Sequence, residues 1–217
     1  MNVLRNHWYD IGLIPMCGAL VGLIIFWHDI DMLRKLALMN FAVIFWHQFE
    51  EYHFPGGEPA ITNLAMQPKS LEHADRYPLN QNNAMIINGV GSYIVYSLPV
   101  IFPNTLWLGV MPILFGMMQM VIHVIATPKK IGNRIYSPGT AAVVFGHIPI
   151  GIYWFYYTIS NGMLGMWDVI FGVIYQILFV GVFMIKIGYG ILSKPDSSYP
   201  FPIEEFERHG YAERIRK

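Results

Sequence analysis

The sequence predicts an all-α fold, a polytopic membrane helix bundle of about six transmembrane helices. Composition points there first. Of 217 residues, 54% are hydrophobic and only 13% are charged, and mean hydropathy is +0.40. A soluble domain carries about 25% charged residues, so roughly half the usual complement is present. Second, the apolar residues fall in runs long enough to cross a hydrocarbon core of about 30 Å. Third, the few cations sort to one side of those runs. The expected partner is the lipid bilayer, and this composition excludes a disordered chain and a nucleic-acid binder.

The first span is Ile11–Trp27. One Arg precedes it and no small-residue cleavage site follows, so it reads as a retained span and not as a signal peptide. Its Gly18-Ala19-Leu20-Val21-Gly22 step marks either a homodimer face or packing within one bundle, and the second is the commoner use. The second span, Leu36–Tyr52, is the weakest. Its apolar part stops near Trp46 and its tail carries His47, Glu50 and Glu51. The competing reading is a short interfacial helix. Ala84–Phe102, Thr105–Thr127, Gly139–Ser160 and Met166–Leu192 complete the set. Ser137 reads as the N-cap of the fifth span, with Pro138 at its first helical position.

Residues 1–194 thus form a transmembrane domain with a long cytoplasmic loop at 53–83. Residues 195–217 read as a polar cytoplasmic tail, a surface arm. Trp8, Trp27, Trp46, Trp107 and Trp167 lie near span ends, as in aromatic belts. The single Cys17 excludes an internal disulfide.

An even number of spans puts both ends on one side. Arg5, Lys69, Arg76, Lys129, Lys130, Arg134, Lys186, Lys194, Arg208, Arg214, Arg216 and Lys217 fall there, twelve of the fourteen cations. Only Arg34 and Lys35 fall opposite. The positive-inside rule then makes both termini cytoplasmic, in a protein integral to the cytoplasmic membrane.

Ionisable residues inside a bilayer are costly and therefore functional candidates. His47-Gln48-Phe49-Glu50-Glu51 is the richest group. Helical geometry aligns His47 with Glu51, four residues on. On a rise of 1.5 Å per residue, His47 lies roughly 17 Å and Glu51 roughly 23 Å below the outer boundary. Gln119 and His123 in the fourth span fall at about 21 and 27 Å, and His147 and Asn88 fall in the same leaflet. Two imidazoles and a carboxylate, His47, His123 and Glu51, form a ligand set for divalent zinc or iron. His147 is a further candidate ligand. A di-iron centre wants four carboxylates and two histidines, and Glu50, Glu51 and Asp168 fall short of that.

These residues resemble a known family. His47-Gln48-Phe49-Glu50-Glu51, followed by Pro55-Gly56-Gly57, resembles the signature of the HXXEE-motif family of integral membrane proteins. The resemblance extends to Gln119-Met120-Val121-Ile122-His123, where the family pattern has Asn, Ala, two variable positions and His. It continues through Tyr136-Ser137-Pro138-Gly139, similar to the family's Tyr-Asn-Pro-Gly. It covers roughly His47 to the end of the fifth span. Gln119 and Met120 depart from the pattern, and Gln119 reaches further than an Asn. The resemblance implies a membrane fold and draws attention to His47, Glu50, Glu51 and His123. It brings no activity with it.

The favoured expectation is a membrane-embedded, metal-dependent enzyme, a hydrolase or oxidoreductase acting on a small or lipid-derived substrate. Glu50 and Glu51 are the candidate catalytic carboxylates, Glu51 doubling as a ligand and Glu50 serving as general base or fourth ligand. One alternative is a metal-free isomerase or cyclase, in which repulsion between Glu50 and Glu51 keeps a proton available. Another is a metal-ion or small-solute carrier, which the lack of repeat symmetry disfavours.

Each residue also has a plainer reading. His47, Glu50 and Glu51 would be the polar end of a helix. His123 would sit favourably at a helix C-terminus, and His147 would be a packed core histidine. Asn88 and Gln119 would be interhelical hydrogen-bond donors. His53, Glu58 and His73, in the loop at 53–83, either cap a site or are solvated loop residues, the second being the default. Met117, Met118 and Met120 would fill gaps in the core.

Overall fold

The computed structural model describes residues 2–66, 73–130, 136–207 and 210. Among these residues all regular structure is helical. In chain order the helices are α1 (Asn2–Ile25), α2 (Met32–Tyr52), α3 (Glu58–Met66), α4 (Gln81–Ile101), α5 (Leu106–Lys129), α6 (Thr140–Ser160), α7 (Met166–Ile191) and α8 (Glu204–Glu207). Five of them, α1, α4, α5, α6 and α7, are long and apolar enough to cross a membrane. The chain is a helical membrane protein.

The expected sixth span is α2, and it differs in kind. Its 21 residues give a rod of about 30 Å, a bilayer's thickness. Arg34, Lys35, Asn40, His47, Gln48, Glu50 and Glu51 keep it less apolar than the five. It tolerates them because it is the central helix. α1, α4, α5 and α6 pack around it, and Asn40, His47, Gln48, Glu50 and Glu51 are all buried. It begins at Met32, ahead of the expected Leu36, because the Asp31 side chain accepts the Arg34 amide at 2.9 Å. In the same way α4 begins at Gln81, where Asn80 and Asn83 form a reciprocal capping box.

The described parts of the loop at 53–83 are folded. Gly56 and Gly57 take positive φ of 73° and 100°, turning the chain back after α2. α3 follows and buries Ala60, Ile61, Asn63 and Leu64. The Asn63 amide donates to the Ala74 and Leu79 carbonyls and accepts the Leu79 amide, holding the two sides of the loop together. Over residues 195–207 the tail is a surface arm that is packed down. Phe201 and Phe206 join Trp8, Tyr52, Ile61 and Leu64 in one apolar cluster, and the Phe201 amide donates to the Asp75 carbonyl at 2.8 Å. Two buried Phe outweigh the polar residues around them. Loop, tail and the start of α1 therefore make a cap over one end of the bundle.

Two smaller expectations change. Trp8 is buried beside Tyr52, ring centroids 4.7 Å apart, and is not a belt residue. Gly18 and Gly22 have nothing within 4 Å of where a Cβ would stand, so they face outward instead of packing within the bundle. Lys69, Arg134, Arg208, Arg214, Arg216 and Lys217, half of the cations assigned to one side, lie outside the described residues.

Four spans contain π-helical stretches, at Val90–Val95, Val121–Ala126, Val143–His147 and Leu178–Ile191. Such stretches re-aim side chains within a helix and are frequent at functional sites. Two of them carry His123 and His147. The second runs directly into Pro149, which has no amide to donate.

Candidate metal centre

His47 and Glu51 stand one turn apart on α2, so the helix itself puts them side by side. Their closest approach is 3.3 Å, from His47 Nε2 to Glu51 Oε1. His123, from α5, brings its Nε2 to 3.2 Å from the same oxygen. The two imidazole rings lie edge to face, centroids 4.8 Å apart. One ligand atom from each residue falls within 4.8 Å of the others, and all three residues are buried. Ligand atoms held at about 2.0–2.2 Å from a tetrahedral ion stand about 3.3–3.6 Å from one another. The two measured edges come close to that spacing. Without a cation, the same arrangement is held by imidazole N–H groups donating to the carboxylate.

Glu50 has a different place. Adjacent helical residues point about 100° apart. Its Oε1 accepts the Ala141 amide at 3.1 Å and the Tyr136 hydroxyl, and its Oε2 accepts the Ala142 amide at 2.9 Å. The first amides of a helix have no partner within it. Glu50 supplies one from another helix and so caps α6 across the interface. Three donors already engage its two oxygens, and it is not among the residues whose ligand atoms share one centre, which argues against the expected general-base or fourth-ligand position.

That geometry also revises the start of the fifth span. The helix begins at Thr140, and Ser137 is not its side-chain cap. The Ser137 hydroxyl donates to the His123 carbonyl at 2.7 Å, and the Thr140 hydroxyl donates to the same carbonyl at 2.9 Å. Gly139 sits between them at φ +92°, a left-handed conformation that costs glycine nothing. A Cβ there would lie 2.7 Å from His47 Cε1 and 2.9 Å from His123 Nδ1. Residues 136–140 thus hold Glu50 by the tyrosine, His123 by two hydroxyls, and leave room for both imidazoles by the glycine.

His147 is near but apart. Its ring centroid is 5.7 Å from that of His47. Its Nδ1 is 2.8 Å from Asn40 Oδ1, which only accepts, so the proton resides on Nδ1. Its Nε2 is buried without a hydrogen-bond partner. His147 is outside the group whose ligand atoms share one centre. The buried amides bridge elements. Gln48 donates to the Asn88 carbonyl at 3.1 Å, and Asn88 donates to the Tyr52 hydroxyl at 3.3 Å.

A cavity of about 220 Å³ opens beside the cluster. His47, Glu51, His123, Tyr52 and Glu58 line its polar end, while Ile44, Ile87, Phe115, Met118 and Met184 line its apolar walls. Of the two readings of Glu58, a solvated loop residue and a residue that caps the site, the structure favours the second. It is buried, its Oε1 accepts the Thr62 hydroxyl at 2.8 Å, and its Oε2 is buried without a partner. Burial pushes its carboxyl up to about 7. The nearby Glu51 charge adds to that rise, and the His123 imidazole and the Thr62 hydroxyl oppose it.

A family model described as a protein of unknown function with HXXEE motif matches residues 38–154, more than half of the chain. The matched stretch contains His47, Glu50, Glu51, Glu58, His123 and Gly139. No curated protein and no solved structure matches the chain.

Proposed function

We propose that this chain, which belongs to the HXXEE-motif family, is a membrane-embedded metal-dependent enzyme acting on a small or lipid-derived substrate. The observation that carries the reading is the shared Glu51 oxygen, flanked at 3.3 and 3.2 Å by the Nε2 atoms of His47 and His123. Two imidazoles and one carboxylate suit zinc in a hydrolase, or ferrous iron in an oxidoreductase. Such an ion supplies a Lewis acid when bound. The chain's own groups do the rest. Glu51, His47 and His123 hold the ion, and Gly139 lets the rings approach it. Glu50 and Tyr136 fix the helix ends that carry them. Glu58 faces the cavity with one buried carboxyl oxygen that has no hydrogen-bond partner, and takes the proton-transfer role.

Orientation follows from charge. Among the described residues, Arg5, Arg76, Lys129, Lys130, Lys186 and Lys194 fall on the side assigned to the cytoplasm, and Arg34 and Lys35 on the other. That division supports cytoplasmic termini and a site in the cytoplasmic leaflet. The three donors already on Glu50 count against a metal-free enzyme built on a Glu50/Glu51 pair.

The test is metal content. Protein purified in detergent without chelator is expected to carry one equivalent of zinc or iron. His47→Ala, Glu51→Gln and His123→Ala each lower that content about tenfold or more. A wild-type protein that holds no metal, and whose unfolding temperature does not rise when zinc or ferrous iron is added, overturns the reading.

A further inference from the structure

The cavity does not end inside the bundle. Over Met166–Ile177, α7 packs closely against Leu106–Met120 of α5. Beyond that its partner changes. The stretch Leu178–Ile191 leans instead on Gln81–Gly89 of α4. Asn83 donates to the Gly188 carbonyl at 3.1 Å, and a Cβ on Gly188 would stand 2.3 Å from Ile87 Cδ1. The later halves of α5 and α7 therefore splay apart, and the cavity occupies the wedge between them.

Between α5 and α7 the side of this wedge is apolar. Met118 and Ile122 border it from α5, and Val180 and Met184 from α7. All four are partly exposed, Ile122 by 37%. Around them the outer faces carry Val121, Ile125, Ile177 and Ile185, each more than half exposed. Both helices are apolar enough to cross a membrane, so these faces meet hydrocarbon. The floor is different: Glu51, His47, His123 and Glu58 lie there, all buried. A water-soluble substrate has no use for such a side. An amphiphile fits both ends.

We infer that the substrate is a single-chain lipid with an oxygen-bearing head, reaching the site sideways from the bilayer between α5 and α7. The inference rests on the metal-enzyme reading for what the head meets. Size sets how much enters. Pockets that swallow whole drug-sized ligands measure about 300–1,000 Å³. At about 220 Å³ the cavity holds the head and the adjoining methylenes. The rest of the chain stays in the wedge and in lipid.

The probe is palmitate carrying a diazirine near its carboxyl end, in vesicles containing the full-length protein. After irradiation the labelled residues are mapped by peptide mass spectrometry. Label is expected on Ile44, Ile87 and Phe115, which are buried and line the cavity. In the double variant Ile122→Trp/Met184→Trp that label falls about tenfold, equivalent to about 1.4 kcal/mol. Label on outward-facing Ile177 and Ile185 persists in both proteins and reports that the variant is inserted. Ile122→Trp alone repeats the test if the pair does not fold.

Label confined to outward-facing residues of the wild type overturns the inference, as does cavity label that a folded tryptophan variant leaves unchanged. Metal content of the same samples separates the two readings. Cavity label in a metal-free protein upholds lipid access and removes the metal. Metal without cavity label removes lipid access alone.

Discussion

Glu50 accepts the Ala141 and Ala142 amides at the start of α6, while its chain neighbour Glu51 faces the imidazoles of His47 and His123. The two carboxylates are a peptide bond apart and serve different ends. One joins two helices. The other joins two histidines. Losing them should therefore have separable consequences.

Glu50→Ala removes two charge-assisted bonds to helix-end amides and one to a tyrosine. Unfolding in detergent should become easier by about 2–3 kcal/mol. Glu51→Gln should keep the fold and lose metal. Thermal unfolding followed by circular dichroism, beside metal analysis of the same samples, checks both. Equal metal loss in a fully folded Glu50→Ala protein would mean that Glu50 is a ligand.

Gly139→Ala places a methyl within 2.7–2.9 Å of both imidazoles and forces a left-handed φ on alanine. Backbone strain alone costs about 1–3 kcal/mol. The expected result is a lower unfolding temperature together with reduced metal content. A variant as stable and as metal-rich as the wild type would show that the rings have room to retreat.

His147→Ala should leave metal content unchanged, because His147 is held by Asn40 and lies outside the three-residue cluster. It should still cost about 2–4 kcal/mol of stability, since the ring is fully buried. Metal analysis decides between the packed histidine and the further ligand that depth alone allows.

Glu58 makes stability depend on pH, measured after metal is stripped. The unfolded carboxyl releases its proton near 4.5 and the folded one near about 7. Between those values the folded state holds a proton that the unfolded state has lost. Stability therefore falls as pH rises across that window, by about 3 kcal/mol in total, and levels off above it. Glu58→Gln should remove this slope from a series of unfolding temperatures between pH 4 and about 8. A slope that survives the substitution belongs to another group.

Much of the helical framework was legible in the residues before any contact was known. Runs such as those in α5 and α7 announce membrane helices because hydropathy is a property of each segment alone. The capping residues were harder to read. Asp31 and Asn80 start their helices about a turn before the apolar runs do. Ser137 was misread because its hydroxyl serves the His123 carbonyl, on another helix, instead of its own.

By itself the sequence determined the class of the molecule, its apolar spans and the pairing of His47 with Glu51, all consequences of local composition and the pitch of one helix. Only the tertiary structure decided that His123 meets the same carboxylate oxygen, that Glu50 turns to α6, and that Glu58 folds from the loop into the cavity wall. Each of those depends on how one helix is rotated and seated against another. That rotation is set by packing over the whole interface, and no single segment carries it.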